Sequence, residues 1–482
     1  MTRLFTSLPP ARRHALICAL LALAFCLLHG LKIDDSGVGG DAREFLSTAY
    51  HLQRHGVFSM QLSPEMPSIP DAYRPPVYPF LLAGIIEAVP GLRADAFGWL
   101  YAPESSGLPE NHGPRDLKVI KYVQMLLYLA AAFAAMWIVA RITGDRRWGY
   151  GAFVLTMLHP FLGSYVNRYY SELVAAVLLA GFSLLFYQAV RLRSMGWFLT
   201  AGLCLGVLVL TRAQWWYCGP ACALYAMFVG VLRRRERKTR GRLIVGALLM
   251  CLTMAIVVTP WKMRNQELFG RNFITERAGI ALDLRSQYVM MSNDEILASF
   301  LYWTRMRELR DELLPRLMDP ARYRNLVREV GYYNTALRRS GELEKLYPRS
   351  VADEIQFREA AERILSHPWN YLKTLPALTY RGMIDGNLSV LNLLIWFACF
   401  RVVFGLMRRG DWETLAVYAP LMAMWGFDSL VTHNITRYNS TGSVLLMVAL
   451  AHCLWLCQQA RIERAAARAA SPLNAPQPSR FR

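Results

Sequence analysis

The sequence predicts an all-α polytopic membrane protein, and three observations carry that assignment. Hydrophobic residues make up 54% of the 482 positions. They are gathered into repeated apolar runs near the length that an α-helix needs to cross a bilayer. The net charge of +19 is not spread evenly, as a nucleic-acid-binding surface would have it, but sits in short loops between alternate apolar runs.

Ten spans follow in order, near residues 15–31, 118–141, 149–163, 172–190, 197–212, 214–232, 243–260, 388–407, 412–431 and 438–457. The flanking and connecting segments 1–14, 141–147, 191–195, 233–242, 401–413 and 461–482 hold 23 Lys or Arg against 5 Asp or Glu. By the positive-inside rule these segments, and with them both termini, are cytoplasmic. Residues 32–117 hold 6 basic and 11 acidic side chains and residues 261–385 hold 20 and 17, so the two long connections lack the bias and are expected outside. The first span has a basic lead but no small-x-small cleavage site, as an uncleaved signal anchor would. The nine cysteines fall in or near spans, where they serve packing rather than a disulfide framework.

Within the first long connection, residues 41–55 put Phe45, Ala49 and Leu52 on one helical face, with Arg43, Glu44 and Arg54 toward water. That is the pattern of a helix lying along the interface, ended by Gly56. Residues 77–89 are apolar, open after Pro75-Pro76 and stop at Pro90-Gly91, too short to cross. They are expected to lie against the surface or dip into it. Four units result: a transmembrane core over 1–271, a small helical extracytoplasmic region over 272–387, C-terminal spans over 388–460, and a basic, disordered tail over 461–482.

The chemistry points to the exit of the first span. Gly39-Gly40-Asp41 places a carboxylate at the membrane surface, and Arg74 in Tyr73-Arg74-Pro75-Pro76-Val77-Tyr78-Pro79 returns to it about thirty positions later. A carboxylate can take a proton from an acceptor hydroxyl, and fixed cations can stabilise charge gathering on a departing phosphate. Arg212 closes an apolar run and Arg437 precedes Tyr438 at the last outer loop, so both can face the same mouth. The competing structural reading makes Asp41 a helix N-cap, with Glu44 completing a capping box; each arginine could likewise snorkel to headgroups. His51 and His55 share a face but lack further ligands for a metal.

In this setting the chain resembles the polyprenyl-phosphate-sugar glycosyltransferases of the GT-C fold, the group that includes protein O-mannosyltransferases and lipid A aminoarabinose transferases. The resemblance rests on Gly40-Asp41 with Phe45 and Ala49, the Arg74 to Pro79 segment, His159-Pro160 through Ser171-Glu172, Gly202 to Arg212, Pro260-Trp261 with Arg264-Asn265, His367-Pro368 and Arg437-Tyr438. It implies that Asp41 is the catalytic carboxylate and Glu172 the acidic residue of the second outer loop, with Tyr170 beside it to orient acceptor or sugar or help hold a divalent ion. Arg74, Arg212 and Arg437 would bind phosphate, with Tyr73, Tyr78, Arg264 and Tyr438 as further candidates. The acidic residue common after the catalytic Asp is Ala42 here, and a frequent Tyr is Phe45.

The reaction so implied is an inverting transfer of a sugar from a polyprenyl-phosphate donor to a glycolipid, polysaccharide or protein acceptor outside a prokaryotic inner membrane. No cofactor is required and no metal ligands are assigned, although a divalent cation is compatible with the carboxylate pair. A lipid or sugar transporter or flippase would instead place ionisable groups near mid-membrane between repeats. An O-antigen ligase or polymerase would draw on a diphosphate donor.

Overall fold

The computed structural model describes residues 9–34, 39–61, 68–89, 92, 117–233, 236–304, 306, 309–384 and 389–469. Among the described residues all regular structure is helical. The first helices are α1 (Pro10–Gly30), α2 (Asp41–His55), α3 (Val77–Ala88), α4 (Lys118–Thr143) and α5 (Arg146–Met157). They are followed by α6 (Glu172–Leu192), α7 (Met195–Thr211), α8 (Cys218–Leu232) and α9 (Arg237–Phe269). A second group comprises α10 (Ala278–Gln287), α11 (Asn293–Trp303), α12 (Tyr332–Leu346), α13 (Arg349–Ser366) and α14 (Pro368–Met383). The chain ends with α15 (Ser389–Arg409), α16 (Ala419–Val431) and α17 (Ser443–Ala469).

Seven segments among the described residues are long and apolar enough to cross a membrane: Pro10–Gly30, Lys118–Thr143, Glu172–Leu192, Ala213–Leu232, Arg237–Phe269, Val390–Arg409 and Thr436–Ala467. The chain is an integral membrane protein. The other three expected spans form shorter helices. The run 149–163 divides after Met157, because His159 accepts from the Leu162 N–H and Pro160 opens a new short helix. The run 412–431 divides into Trp412–Leu415 and α16, with Pro420 in the first turn of the latter. The run 197–212 becomes the 17-residue α7. The last helix extends to Ala469, so residues 461–469 of the expected tail are helical; the rest of that tail lies outside the described residues, as do Pro90-Gly91.

The main core joins α4–α9 with α15–α17 through residues such as Tyr128, Phe182, Leu205, Met250, Trp396 and Val448. Glycine lets the spans approach. A Cβ at Gly202 would overlap the Met250 carbonyl, and one at Gly246 would overlap the Phe198 ring, so α7 and α9 touch nearly backbone to backbone. The α2–α3 pair has its own core of Phe45, Leu46, Ala49, Tyr78, Leu82 and Ile86, as expected for two apolar faces that cover one another. The α10–α14 region closes on Tyr288, Trp303, Tyr332 and Leu378. There Asp283 accepts from Gln356 Nε2 at 2.9 Å and pairs with Arg363, which binds α10 to α13.

Two helical glycines, Gly202 of α7 and Gly241 of α9, should respond oppositely to the same substitution. Gly202→Ala, which has no room for its methyl group, lowers stability by about 2 kcal/mol. Gly241→Ala, which meets open space in α9, raises it by about 1 kcal/mol through helix propensity. Denaturant unfolding of detergent-purified protein measures both.

Candidate active site

The site begins with the turn into α2. Gly40 has φ +60°, a left-handed region that favours glycine, and this places Asp41 as the first helical residue. Gly40 is therefore the N-cap and makes no side-chain cap, so the Asp41–Glu44 capping box does not form. Both carboxylates turn instead to Arg74. Asp41 Oδ1 lies 2.7 Å from Arg74 Nη2, and Glu44 Oε2 accepts from Arg74 Nε at 2.6 Å. Arg74 is itself buried and stacks on Phe45, 4.9 Å from the ring centroid.

Arg74 is held there by a tied-down loop. Asp71 accepts from the Met60 N–H at 2.6 Å and from the Tyr73 N–H at 3.1 Å. Ala72 and Glu276 are doubly bonded, Ala72 N–H to Glu276 Oε2 and Glu276 N–H to the Ala72 carbonyl, each at 3.1 Å. Arg264 donates to the Asp71 carbonyl at 2.9 Å and lies over Trp261. Its place is therefore behind the loop, supporting Arg74. Pro75 and Pro76 then fix the backbone into α3.

The opposite side of Asp41 meets a residue almost four hundred positions away. Arg437, in the short helix Thr436–Asn439, sets Nη1 2.7 Å from Asp41 Oδ2. Its Nε donates to Glu172 Oε1, and Arg212 Nη1 reaches the same oxygen at 3.0 Å. The result is an alternating chain, Glu44–Arg74–Asp41–Arg437–Glu172–Arg212, with equal numbers of acids and bases. It runs from a partly open end, where the Asp41 and Arg437 side chains are 26% and 27% exposed, to Glu172, which is 0% exposed. Glu172 Oε2 is buried and has no hydrogen-bond partner among the described residues.

Burial alone would raise the Asp41 pKa, but the guanidiniums of Arg74, Arg437 and Arg277 outweigh it and hold the carboxyl well below the usual range. Asp41 is thus an ionised and, in this state, weak base. Tyr170 closes the near wall: Arg437 lies 4.4 Å over its ring, and its hydroxyl donates to the Gly39 carbonyl at 3.3 Å. Tyr73 stands between Arg277, 4.6 Å from its ring centroid, and Arg349, at 5.0 Å. Tyr438 packs edge-on against His433.

The structure thus brings Asp41, Arg74, Glu172, Arg212, Arg437 and Tyr170 together. It differs from the sequence expectation in two respects. The three arginines are not free cations, since each already faces a carboxylate. Tyr78 is buried between α2 and α3, edge-on to Phe45, and its hydroxyl donates to Gln124 at 3.0 Å rather than to the ionic chain. Sequence reasoning missed Glu44, whose spacing from Asp41 on one helix was a usable signal, and Arg277, for which the sequence offers none. His51 of α2 uses its ring nitrogens on the Gln61 carbonyl and Ser68. Among the described residues no group of three or more His, Cys, Asp or Glu is placed to hold a metal ion.

No protein-family model and no curated protein matches the sequence. Among solved structures, the chain is similar to the archaeal oligosaccharyltransferase AglB from Archaeoglobus fulgidus, in complex with an inhibitory peptide and a dolichol-phosphate, with a TM-score of 0.52 at 13% identity. The chain has the GT-C fold. The likeness covers 96% of this chain but 52% of AglB, so this GT-C chain spans about half the length of that protein. ArnT from Cupriavidus metallidurans bound to undecaprenyl phosphate is also similar, with a TM-score of 0.38, 16% identity, and 88% of this chain and 77% of that one covered.

Glu172 tests the alternating chain directly. Glu172→Gln leaves Arg212 and Arg437 without their shared carboxylate, and stability falls by about 3 kcal/mol. The double variant with Arg212→Gln recovers part of this loss. Denaturant unfolding of the two purified variants reads the difference.

Proposed function

We propose that the protein is a glycosyltransferase that moves a sugar from a polyprenyl-phosphate donor to an acceptor hydroxyl at the extracytoplasmic membrane surface. The observation that carries this reading is the Arg74–Asp41–Arg437 arrangement in an integral membrane protein of the GT-C fold. Two guanidiniums flank one partly exposed carboxylate, which suits a reaction that needs a base and a phosphate cradle within one side chain's reach of each other.

The resting chain of charges gives the reaction an order. A lipid phosphate competes with Asp41 for Arg74 and Arg437, because guanidinium pairs equally well with either oxyanion. As the phosphate takes them, Asp41 loses the partners that suppress its basicity and turns to the acceptor hydroxyl. It removes the proton as the hydroxyl oxygen attacks the anomeric carbon, and the carbon–oxygen bond to the lipid phosphate breaks with its electron pair leaving on the phosphate. Inversion at carbon follows from the single displacement. Glu172, anchored by Arg212, keeps Arg437 in place throughout. AglB, solved with a dolichol-phosphate, supports the donor class.

Asp41→Asn, which keeps the shape of the side chain and removes its basicity, lowers turnover by about a thousandfold or more while tightening binding of a prenyl monophosphate by about threefold or more, because the carboxylate that competes for Arg74 and Arg437 is gone. Purified enzyme in nanodiscs, supplied with prenyl-phosphate sugars and envelope glycolipids, reads both; a folded variant that still turns over refutes the assignment. The pH profile gives a second check. Arg74→Gln removes a cation beside Asp41, so its pKa rises and the acid limb of kcat/KM moves up by about one pH unit.

A further inference from the structure

Beside the ionic chain lies a second basic group with a different character. His433, in the turn between α16 and the short helix Thr436–Asn439, is 1% exposed, and neither ring nitrogen has a hydrogen-bond partner among the described residues. Its ring is boxed by Tyr333, with centroids 5.5 Å apart, and by Tyr438, at 5.4 Å. A buried imidazole with two unanswered polar atoms is costly unless something completes it. Burial, and after it Arg381, Arg328 and Arg277, hold its pKa well below the usual imidazole range, so the ring is neutral and offers one N–H.

The three arginines whose charge acts on it form no salt bridge among the described residues. Among the described residues no carboxylate lies within 4.0 Å of Arg277, Arg328 or Arg381. This contrasts with Arg74, Arg212 and Arg437, every one of which is paired. Arg381 is steered by Tyr288, to whose hydroxyl it donates at 2.7 Å, and by Trp303, 4.7 Å beneath it. Arg328 lies over Tyr333 at 4.8 Å. Arg277 links the two groups, because Asp41, Glu44 and Tyr438 are all among its charge neighbours. Arg328, stacked on the Tyr333 that walls His433, and Arg381 therefore stand near an unpartnered imidazole with no carboxylate within 4.0 Å among the described residues, and Arg277 connects them to Asp41.

We propose that Arg277, Arg328, Arg381 and His433 form an oxyanion subsite that takes a phosphate or carboxylate carried by the acceptor. The acceptor is then an anionic saccharide or glycolipid, held so that a neighbouring hydroxyl meets Asp41. The acceptor is favoured over the donor as the source because Arg277, Arg328 and Arg381 all come from the segment between α9 and α15, the long connection expected on the aqueous side. The donor phosphate has its own cradle at Arg74 and Arg437. The inference rests on the transferase reading for its orientation, but the subsite can be tested without it.

The purified full chain in nanodiscs is titrated, with and without geranyl monophosphate, against glucuronate, glucose 6-phosphate and glucose, with binding followed by ligand-observed NMR. Both anionic sugars bind about tenfold or more tighter than glucose, as expected for charge-assisted hydrogen bonds. The double variant Arg381→Gln with His433→Gln removes the preference and leaves geranyl monophosphate affinity within about twofold. Arg328→Gln, at an exposed position that does not support the core, weakens the anionic sugars by about threefold or more and covers the case in which the double variant does not fold. Equal binding of the three sugars, or a preference that survives the substitutions, overturns the subsite. If geranyl diphosphate binds about tenfold tighter than the monophosphate in the native chain and loses that advantage in the variants, the subsite belongs to the donor and the acceptor assignment fails. A chain that binds anionic sugars but no geranyl phosphate refutes the proposed function and leaves the subsite standing.

Discussion

A carboxylate that is fully buried must be answered by fixed positive charge, and this constraint on Glu172 organises the site. Desolvating a carboxylate costs several kcal/mol unless cations and hydrogen bonds replace water. Arg212 and Arg437 supply them, one from the end of α7 and the other from the turn before α17. Because Arg437 also spans to Asp41, and Asp41 to Arg74, the same requirement gathers the start of α2, the loop before α3, the start of α6, the end of α7 and the turn before α17. None of these segments is adjacent in sequence to the next in the chain of charges. Their alternation is what lets so many ionisable groups share one place.

The scaffold behind this chain is stiff where the ionic contacts need it to be. The near contact of α7 with α9 at Gly202 and Gly246 fixes the direction in which Arg212 leaves its helix. Arg264 and Asn265 at the far end of α9 bind the carbonyls of Asp71 and Phe273. Through Asp71 and Glu276 this one long helix therefore locates both the loop that presents Arg74 and the strand of chain that presents Arg277. The segments that carry the charges are thus tied by side-chain bonds to backbone carbonyls as well as by the ion pairs themselves.

The sequence revealed the parts whose signals are local. Apolar length identified the membrane helices, and the alternation of basic loops set an expected topology; a helix over 41–55 was legible from Phe45 and Ala49, both of which are buried. Pairing was not legible. The pattern Asp41-Ala42-Arg43-Glu44 reads as a cap because local hydrogen bonding is all that a sequence window contains, whereas Arg74 and Arg437 offer those carboxylates a stronger charge-assisted partner. The division of the runs at 149–163 and 412–431 was signalled by Pro160 and Pro420, but hydropathy averaged over a window hides a break. Arg277 and His433 carried no local signal at all, since their meaning lies in what fails to pair with them.

The two basic groups differ in a way that bears on how charge moves through the site. The chain Glu44–Arg74–Asp41–Arg437–Glu172–Arg212 is balanced, so an arriving anion gains little from it until a carboxylate is displaced. Arg328 and Arg381 have no carboxylate within 4.0 Å among the described residues and so attract an anion without first displacing one. In the proposed reaction an anionic acceptor is therefore captured by the unpaired group, while the lipid phosphate exchanges with Asp41 in the paired one. Each exchange releases the carboxylate only when a phosphate is present to occupy its arginines. The base is then available when donor is bound and quenched when it is not, which limits unproductive attack by water on a partly filled site.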